Sequence, residues 1–388
     1  MKSCLTRFFA VLFGLFVALL IVEIGVRLAY RALPQTLQIA LQDVRITPFS
    51  DVRLVPPPIW QPDYDYQTVT RPGITDETAF AGPGVSFPVN TYAWFGGRVG
   101  FRSPQPTDGT LQAAALGDSF TFCFTPAADC WVDLLARQSG LQIANMGQPV
   151  TGTTAHLRIL RTFALPVKPK LVLWQFFGND FNDDYGLAGL NGTAQTPPEP
   201  STLPALPTAP IARWLREHSV IYAIVSALLR RDAGVEQFID PYQFTSGAVR
   251  LAFGEEYVRK AFDLSNPRNL EGEMLTYATL RDARKAVEGY GGAFVVLLMP
   301  TKEEVWSAQT APIMGQAAID GISAPRMRMH AFCEAEKLTC LDLFDALKAQ
   351  ADAGVQGYYE RDMHLNARGN QAVADAVAVF LRERGLLN

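Results

Sequence analysis

The sequence is short of the residues that most metal and redox chemistry requires. It has four histidines and five cysteines in 388 residues. The cysteines are Cys4, Cys123, Cys130, Cys333 and Cys340. They form no Cys-x-x-Cys motif, and no histidine stands beside them at zinc-ligand spacing, so no metal and no cofactor is expected. Basic clusters are missing too. The chain has 34 Lys and Arg against 38 Asp and Glu, a formal net charge of −4, and no Lys/Arg run interleaved with aromatics. That balance argues against a nucleic-acid partner. There is no internal repeat. Four of the cysteines fall into two close pairs, Cys123 with Cys130 and Cys333 with Cys340. They read equally as two local disulfides of an oxidising compartment or as buried free thiols.

Apolar residues are present in quantity, and the longest uninterrupted run, Phe8 to Val22, lies near the N-terminus between Lys2/Arg7 and Arg27/Arg31. Carried through Glu23 to Val26, it gives about 28 Å of helix, enough to cross a bilayer with Glu23 near one interface. A cleaved signal peptide is the rival reading. No small-x-small cleavage site follows the run, which favours an uncleaved single-pass anchor over residues 8–28 after a short tail, 1–7. The flanking basic residues are balanced and do not set its orientation. The cysteine pairs favour a body on the extracytoplasmic (periplasmic) side of the cytoplasmic membrane.

Residues 29–110 read as a Pro-rich extension of short strands packed on the main domain, with Phe101 as an anchor and Arg102 as a surface charge or carboxylate partner. From residue 111 the pattern alternates. Apolar runs at Ala113–Leu116, Leu141–Asn145, Leu171–Phe177, Phe294–Met299 and Leu338–Phe344 are separated by amphipathic segments such as Trp131–Gln138 and His156–Phe163. Such alternation predicts an α/β domain over 111–388, with a parallel sheet covered by helices on both faces. Residues 185–290 interrupt it as an insertion that forms a cap or wall. The insertion holds a Pro/Thr-rich loop (Asn191–Pro210), an amphipathic helix (Ile211–Arg231) and a further helix (about Leu270 to Val287). Asn191-Gly192-Thr193 matches a glycosylation triplet of the kind that arises often by chance. A final helix, Ala372 to Arg384, packs on the sheet.

In such sheets functional residues collect at the carboxyl ends of the strands. Gly117-Asp118-Ser119 follows the first run, Asn145 to Thr153 the second, Gly178-Asn179-Asp180 the third, and Asp362-Met363-His364-Leu365-Asn366 precedes the last helix. Serine needs a base to take its proton. His364 is the one histidine on a loop returning to the sheet top, and Asp362 is near enough to fix its tautomer. Asn179, with backbone N–H groups at Ser119 and near Gly152, can meet a developing oxyanion. Other readings stand beside these. Gly-Asp-Ser is also an ordinary helix cap, and Gly-Asn-Asp is turn-like. His156, His218 and His330 read as helix residues away from chemistry, and Trp131, Trp174 and Trp306 as packing. Asp118, Asp180, Asp183 and Asp184 read as a solvated acidic rim rather than a metal site.

The order Ser, then Gly/Asn, then Asp-x-His resembles the SGNH (GDSL-type) hydrolase superfamily, in particular its membrane-anchored bacterial members. The blocks at Leu116–Phe122, Phe176–Asp180 and Asp362–Gly369 carry the resemblance. Gly100-Phe101-Arg102 and the stretch Met299-Pro300-Thr301-Lys302-Glu303-Glu304-Val305 also look like segments of those proteins. The resemblance implies a three-layer α/β/α sandwich around a mostly parallel, five-stranded, flavodoxin-like sheet. It also implies ester hydrolysis by Ser119, His364 and Asp362, with Asn179 as oxyanion donor. Two departures stand out. Val150 occupies a position usually held by Gly, with Gly152 two residues on, and the acid–base spacing is Asp-x-His. The implied substrate is an acylated small molecule, glycan or lipid of the cell envelope. O-acyl transfer by the same residues, and a catalytically silent binding protein on the same fold, are the alternatives.

Overall fold

The computed structural model describes the chain apart from residues 1, 34, 42, 48–52, 56–57, 83, 108, 199–209, 230–240 and 388. Positions 199–209 of the expected Asn191–Pro210 loop, and the last two positions of the expected Ile211–Arg231 helix, lie outside the described residues. The chain divides into two compact units, 1–58 with 199–236 and 59–198 with 237–388.

The larger unit is built on five parallel strands: β1 (Ala113–Leu116), β2 (Ile143–Asn145), β3 (Leu171–Phe176), β4 (Ala293–Leu298) and β5 (Thr339–Asp342). Their order is β5-β4-β3-β1-β2. Each of the four strand pairs is parallel, so the sheet is parallel throughout. Every residue of β1, β2 and β3 is buried. That is why these strands read as continuous apolar runs instead of alternating ones. Side chains of opposite parity feed two separate cores. Ala113, Ala115, Leu171 and Leu173 face one that contains Trp131 and the final helix, Ala367–Glu383. Ala114, Leu116, Val172 and Trp174 face the other, with the helices Thr153–Ile159 and Pro267–Glu288. Helices on both faces of one sheet make the three-layer sandwich. The strand order reverses between β1 and β3, the place where such sheets open a crevice.

Three antiparallel hairpins from residues 60–101 belong to this unit: Trp60–Asp63 with Gln67–Thr70, Glu77–Gly82 with Val85–Val89, and Tyr92–Ala93 with Gly100–Phe101. The first and third are tied together by Gln148, whose Oε1 accepts from Thr70 N–H (2.8 Å) and whose Nε2 donates to the Gly100 carbonyl (3.0 Å). Phe101 is buried as expected. Arg102 departs from the expectation of a surface charge. It is buried, donates to the carbonyls of Phe122, Cys123 and Thr125, and lies over the rings of Phe87 and Phe122. Carbonyl oxygens in a bend need donors, and one guanidinium serves three.

The smaller unit holds the N-terminal helix, Lys2–Ala29, so the expected 1–7 tail is helical from Lys2 onward. Its window Arg7–Ala29 is long and apolar enough to cross a membrane and is not buried. The expected Ile211–Arg231 helix is broken at Ser219 into Pro210–His218 and Val220–Leu229. The insertion is therefore divided. Residues 199–236 group with the N-terminal segment, and 237–290 stay with the sheet domain.

Candidate active site

Gly117 ends β1 with φ +156°, and a Cβ there would lie 2.3 Å from both Gln175 Oε1 and Thr121 Oγ1, so only glycine fits. The chain turns sharply into the short helix Ser119–Phe122. Asp118 caps it, accepting the Phe120 N–H at 2.8 Å, while its own N–H donates to Gln175 Oε1 at 3.1 Å. Trp131 Nε1 donates to the Phe120 carbonyl at 2.9 Å, and Asn145 Nδ2 to the Thr121 carbonyl at 2.7 Å. Cys123 is disulfide-bonded to Cys130, closing the segment, and Cys333 is bonded to Cys340 where a long helix returns to β5. Ser119 is thus held by its neighbours on every side.

Ser119 Oγ lies 2.6 Å from His364 Nε2, although 245 positions separate them. His364 Nδ1 lies 2.6 Å from Asp362 Oδ1, which also accepts the His364 backbone N–H at 2.8 Å. The imidazole is packed against Phe120 (centroids 4.8 Å apart) and Phe124 (4.2 Å). Burial alone would raise the Asp362 carboxyl. The charge of His364 and the two hydrogen bonds outweigh it and hold Asp362 below the usual carboxylate range. Lys302, fully buried, adds its charge and reaches toward the Asp362 carbonyl (3.4 Å). The Asp362 carboxylate also backs onto Gly82, where a Cβ would lie 2.8 Å from Oδ2. A hairpin of the extension therefore forms one wall of the site, which the sequence pattern did not reveal.

Asn179 stands at the end of β3, the strand paired with β1, and the neighbouring rings Phe120 and Phe177 are 4.3 Å apart. Its Nδ2 donates to Asp183 Oδ2 (3.1 Å) and more weakly to Tyr257 Oη (3.4 Å). Gly152 begins the Thr153–Ile159 helix and is wedged against Asp180 and Asp184, where a Cβ would lie only 2.6 Å from Asp184 Oδ1. Val150, at the position the resemblance gives to glycine, has φ +58° and is half exposed. The backbone there keeps the left-handed conformation although the side chain is β-branched.

The acidic residues are not the expected solvated rim. Asp118, Asp180, Asp183 and Asp184 are all buried. Asp184 accepts from the hydroxyls of Thr153 and Thr276 and from Thr154 N–H. Burial pushes Asp118 up to about 6, and burial with the charges of Asp118 and Asp184 pushes Asp183 up to about 7. Among the described residues no group of His, Cys, Asp and Glu could hold a metal ion. His156 is also buried, not on a helix surface. It pairs with Thr151 Oγ1 (3.0 Å), packs edge-on to Trp174, and is driven down to about 3 by burial. Trp131, Trp174 and Trp306 are buried in the cores. Asn191 of the glycosylation triplet caps a helix end, with Nδ2 on the Leu187 carbonyl.

The chain is a three-layer α/β/α sandwich around a parallel five-stranded sheet, the architecture that the resemblance implies. Residues 260–388 match the family model described as "SGNH hydrolase-like domain, acetyltransferase AlgX", a stretch that contains Asp362 and His364 and excludes Ser119 and Asn179. Solved structures similar to the chain include a member of the lipolytic protein G-D-S-L family from Veillonella parvula DSM 2008. It is 12% identical with a TM-score of 0.38, and the match covers 70% of this chain and 98% of that one. Another is a GDSL-like lipase from Bacteroides thetaiotaomicron VPI-5482, 11% identical with a TM-score of 0.34, over 72% and 90% of the two chains. Likeness at this level says nothing of substrate. No curated protein matches the chain.

Proposed function

We propose that the protein is a membrane-tethered serine enzyme acting on O-acyl esters, of which acetyl is the preferred size, carried by a glycan or lipid of the cell envelope. The observation that carries this reading is the unbroken chain of two 2.6 Å contacts from Ser119 Oγ through His364 to Asp362. With Nδ1–H donating to Asp362, Nε2 is free to accept the serine proton as Oγ attacks the ester carbonyl. Ser119 is the first residue of its short helix, where backbone N–H groups lack an intrahelical partner. The neighbouring N–H groups at Asp118 and Phe120 are already bonded to Gln175 and to the Asp118 carboxylate. The Ser119 N–H and Asn179 Nδ2 are the donors for the tetrahedral oxyanion, each worth about 3 kcal/mol of barrier. The proton on Nε2 then passes to the departing alcohol, leaving acyl-Ser119. Asp183 Oδ2 accepts a hydrogen bond from one Asn179 Nδ2 hydrogen and so orients the amide, leaving the second hydrogen, held only weakly by Tyr257 Oη at 3.4 Å, for the oxyanion. Ser119 and His364 are each only 8% exposed, and a short acyl group reaches so sheltered a hydroxyl most readily.

The acyl-serine has two fates by the same chemistry. Water gives hydrolysis, and a sugar hydroxyl gives transfer. The match of residues 260–388 to a family described as an acetyltransferase favours the second where a glycan acceptor is present. The test is product analysis of the full-length protein with p-nitrophenyl acetate, with and without added oligosaccharide. Acetate release or acetylated sugar, lost in Ser119→Ala, is the expected result. Neither product, or activity that survives Ser119→Ala, overturns the reading.

A further inference from the structure

We propose that the helix pair Pro210–His218 and Val220–Leu229 lies in the headgroup–acyl boundary of the bilayer, so that the chain meets the membrane at a second place besides its N-terminal helix. The inference rests on the reading that the N-terminal helix crosses the membrane.

The link between the two is an ion pair. Near the C-terminal end of the apolar window, Arg27 and Glu23 are bonded at 2.8 Å and sheltered from solvent. Glu23 accepts the N–H groups of Val220 (2.8 Å) and Ile221 (3.1 Å) and the Ser219 hydroxyl (3.2 Å). It therefore caps the second helix of the pair, whose first N–H groups have no partner of their own. Arg27 donates to the His218 carbonyl (2.8 Å), at the end of the first helix, and to the carbonyl of Ile46 (3.0 Å). One i, i+4 pair on the spanning helix thus clasps the break between the two others.

This clasp sets their depth. At 1.5 Å per residue, Glu23 and Arg27 stand about 24 and 30 Å along the helix from Arg7. The hydrocarbon core is about 30 Å thick, so the break at Ser219 sits at its edge. One face of the second helix is covered inside the unit, where Val220, Ala223 and Ile224 pack with Leu41, Val44, Leu54, Val26 and Tyr30. Each helix also leaves apolar side chains exposed, with Trp214 stacked on His218. Ile211 and Trp214 are 70% and 55% exposed, and Val225 and Leu228 are 47% and 51% exposed, each couple at i, i+3 spacing. An apolar stripe held at the boundary of a bilayer has the bilayer itself as its nearest cover. A tryptophan at that level is the residue such a boundary favours.

The experiment reconstitutes the full chain into nanodiscs of phosphatidylcholine brominated either near the headgroup or at mid-bilayer. Trp214 is one of six tryptophans, so its signal is the difference between the native chain and Trp214→Phe. The expected result is quenching of that difference signal, at least about twofold stronger from the shallow bromines than from the deep ones. A separate reporter, Phe16→Trp in the Trp214→Phe chain, reads the spanning helix and should be quenched most by the deep bromines. Quenching at 16 with none at 214 overturns the second contact and leaves the tether standing. No quenching at either position overturns the tether and the second contact together.

Discussion

Asp183 is the carboxylate on which the orientation of Asn179 depends, and it is buried. Burial and the charges of Asp118 and Asp184 lift it from 3.8 to about 7. Between about pH 4 and 7 the folded chain therefore keeps a proton at this site that the unfolded chain releases, so this group's contribution to stability falls as pH rises through that window. Asp362 acts in the opposite sense. Its depressed folded value contributes stability above the ordinary carboxylate range, which is lost as pH falls through the folded value. We expect Asp183→Asn, which still accepts from Asn179, to flatten the decline in urea midpoint between pH 4.5 and 7.5. An unchanged pH profile would contradict the assignment. Val150 gives a second residue-scale prediction. A β-branched residue at φ +58° costs about 1–2 kcal/mol relative to its preferred conformations, and glycine's greater chain entropy takes back roughly 0.5–1 kcal/mol. Val150→Gly should raise stability by about 0.5–1 kcal/mol in urea unfolding. A loss of stability would mean that the Val150 side chain makes contacts that outweigh its backbone strain. The identities of Ser119, Asn179, Asp362 and His364 as candidates were readable because their residue types and order are rare in combination. The burial of Asp183 and of His156 was not readable, because polar residues carry no mark in sequence of which way their helix face turns.

At the scale of elements, the segment after β1 is held by a disulfide, a guanidinium and an indole. The Cys123–Cys130 bridge closes a loop with a sequence separation of 7. By loop entropy so short a closure contributes about 2 kcal/mol, and the double change Cys123→Ser with Cys130→Ser should lower the unfolding free energy by that amount. Because Cys123 N–H donates to the Ser119 carbonyl (2.9 Å), the same variant should lose turnover ahead of losing its fold at ambient temperature. Full turnover in the reduced or substituted protein would show that Arg102 and Trp131 suffice. The five strands were legible to within a residue or two, because buried parallel strands are apolar on both faces. The break at Ser219 was not. The apolar stripe continues across it, and only the caps supplied by Glu23 and Arg27, some two hundred positions away, make two helices stable in place of one.

For the whole molecule, the division of the insertion is what the linear pattern could not disclose. Residues 199–236 lie between the third and fourth strands in sequence, yet they group with the first 58 residues and not with the sheet domain. The N-terminal helix has an apolar window from Arg7 to Ala29, long enough to span. On the tether reading the protein should stay with the membrane pellet through high salt and alkaline carbonate and leave it only in detergent. Release by carbonate would contradict that reading.

The account as a whole stands on the serine at the end of β1 being activated by the histidine beside the last helix. Intact-mass and peptide analysis after a fluorophosphonate probe reads this directly. One phosphonyl adduct on Ser119, absent in Ser119→Ala and slowed by at least about a hundredfold in His364→Ala, is the predicted result. An adduct elsewhere, or labelling of Ser119 at the same rate without His364, would contradict it.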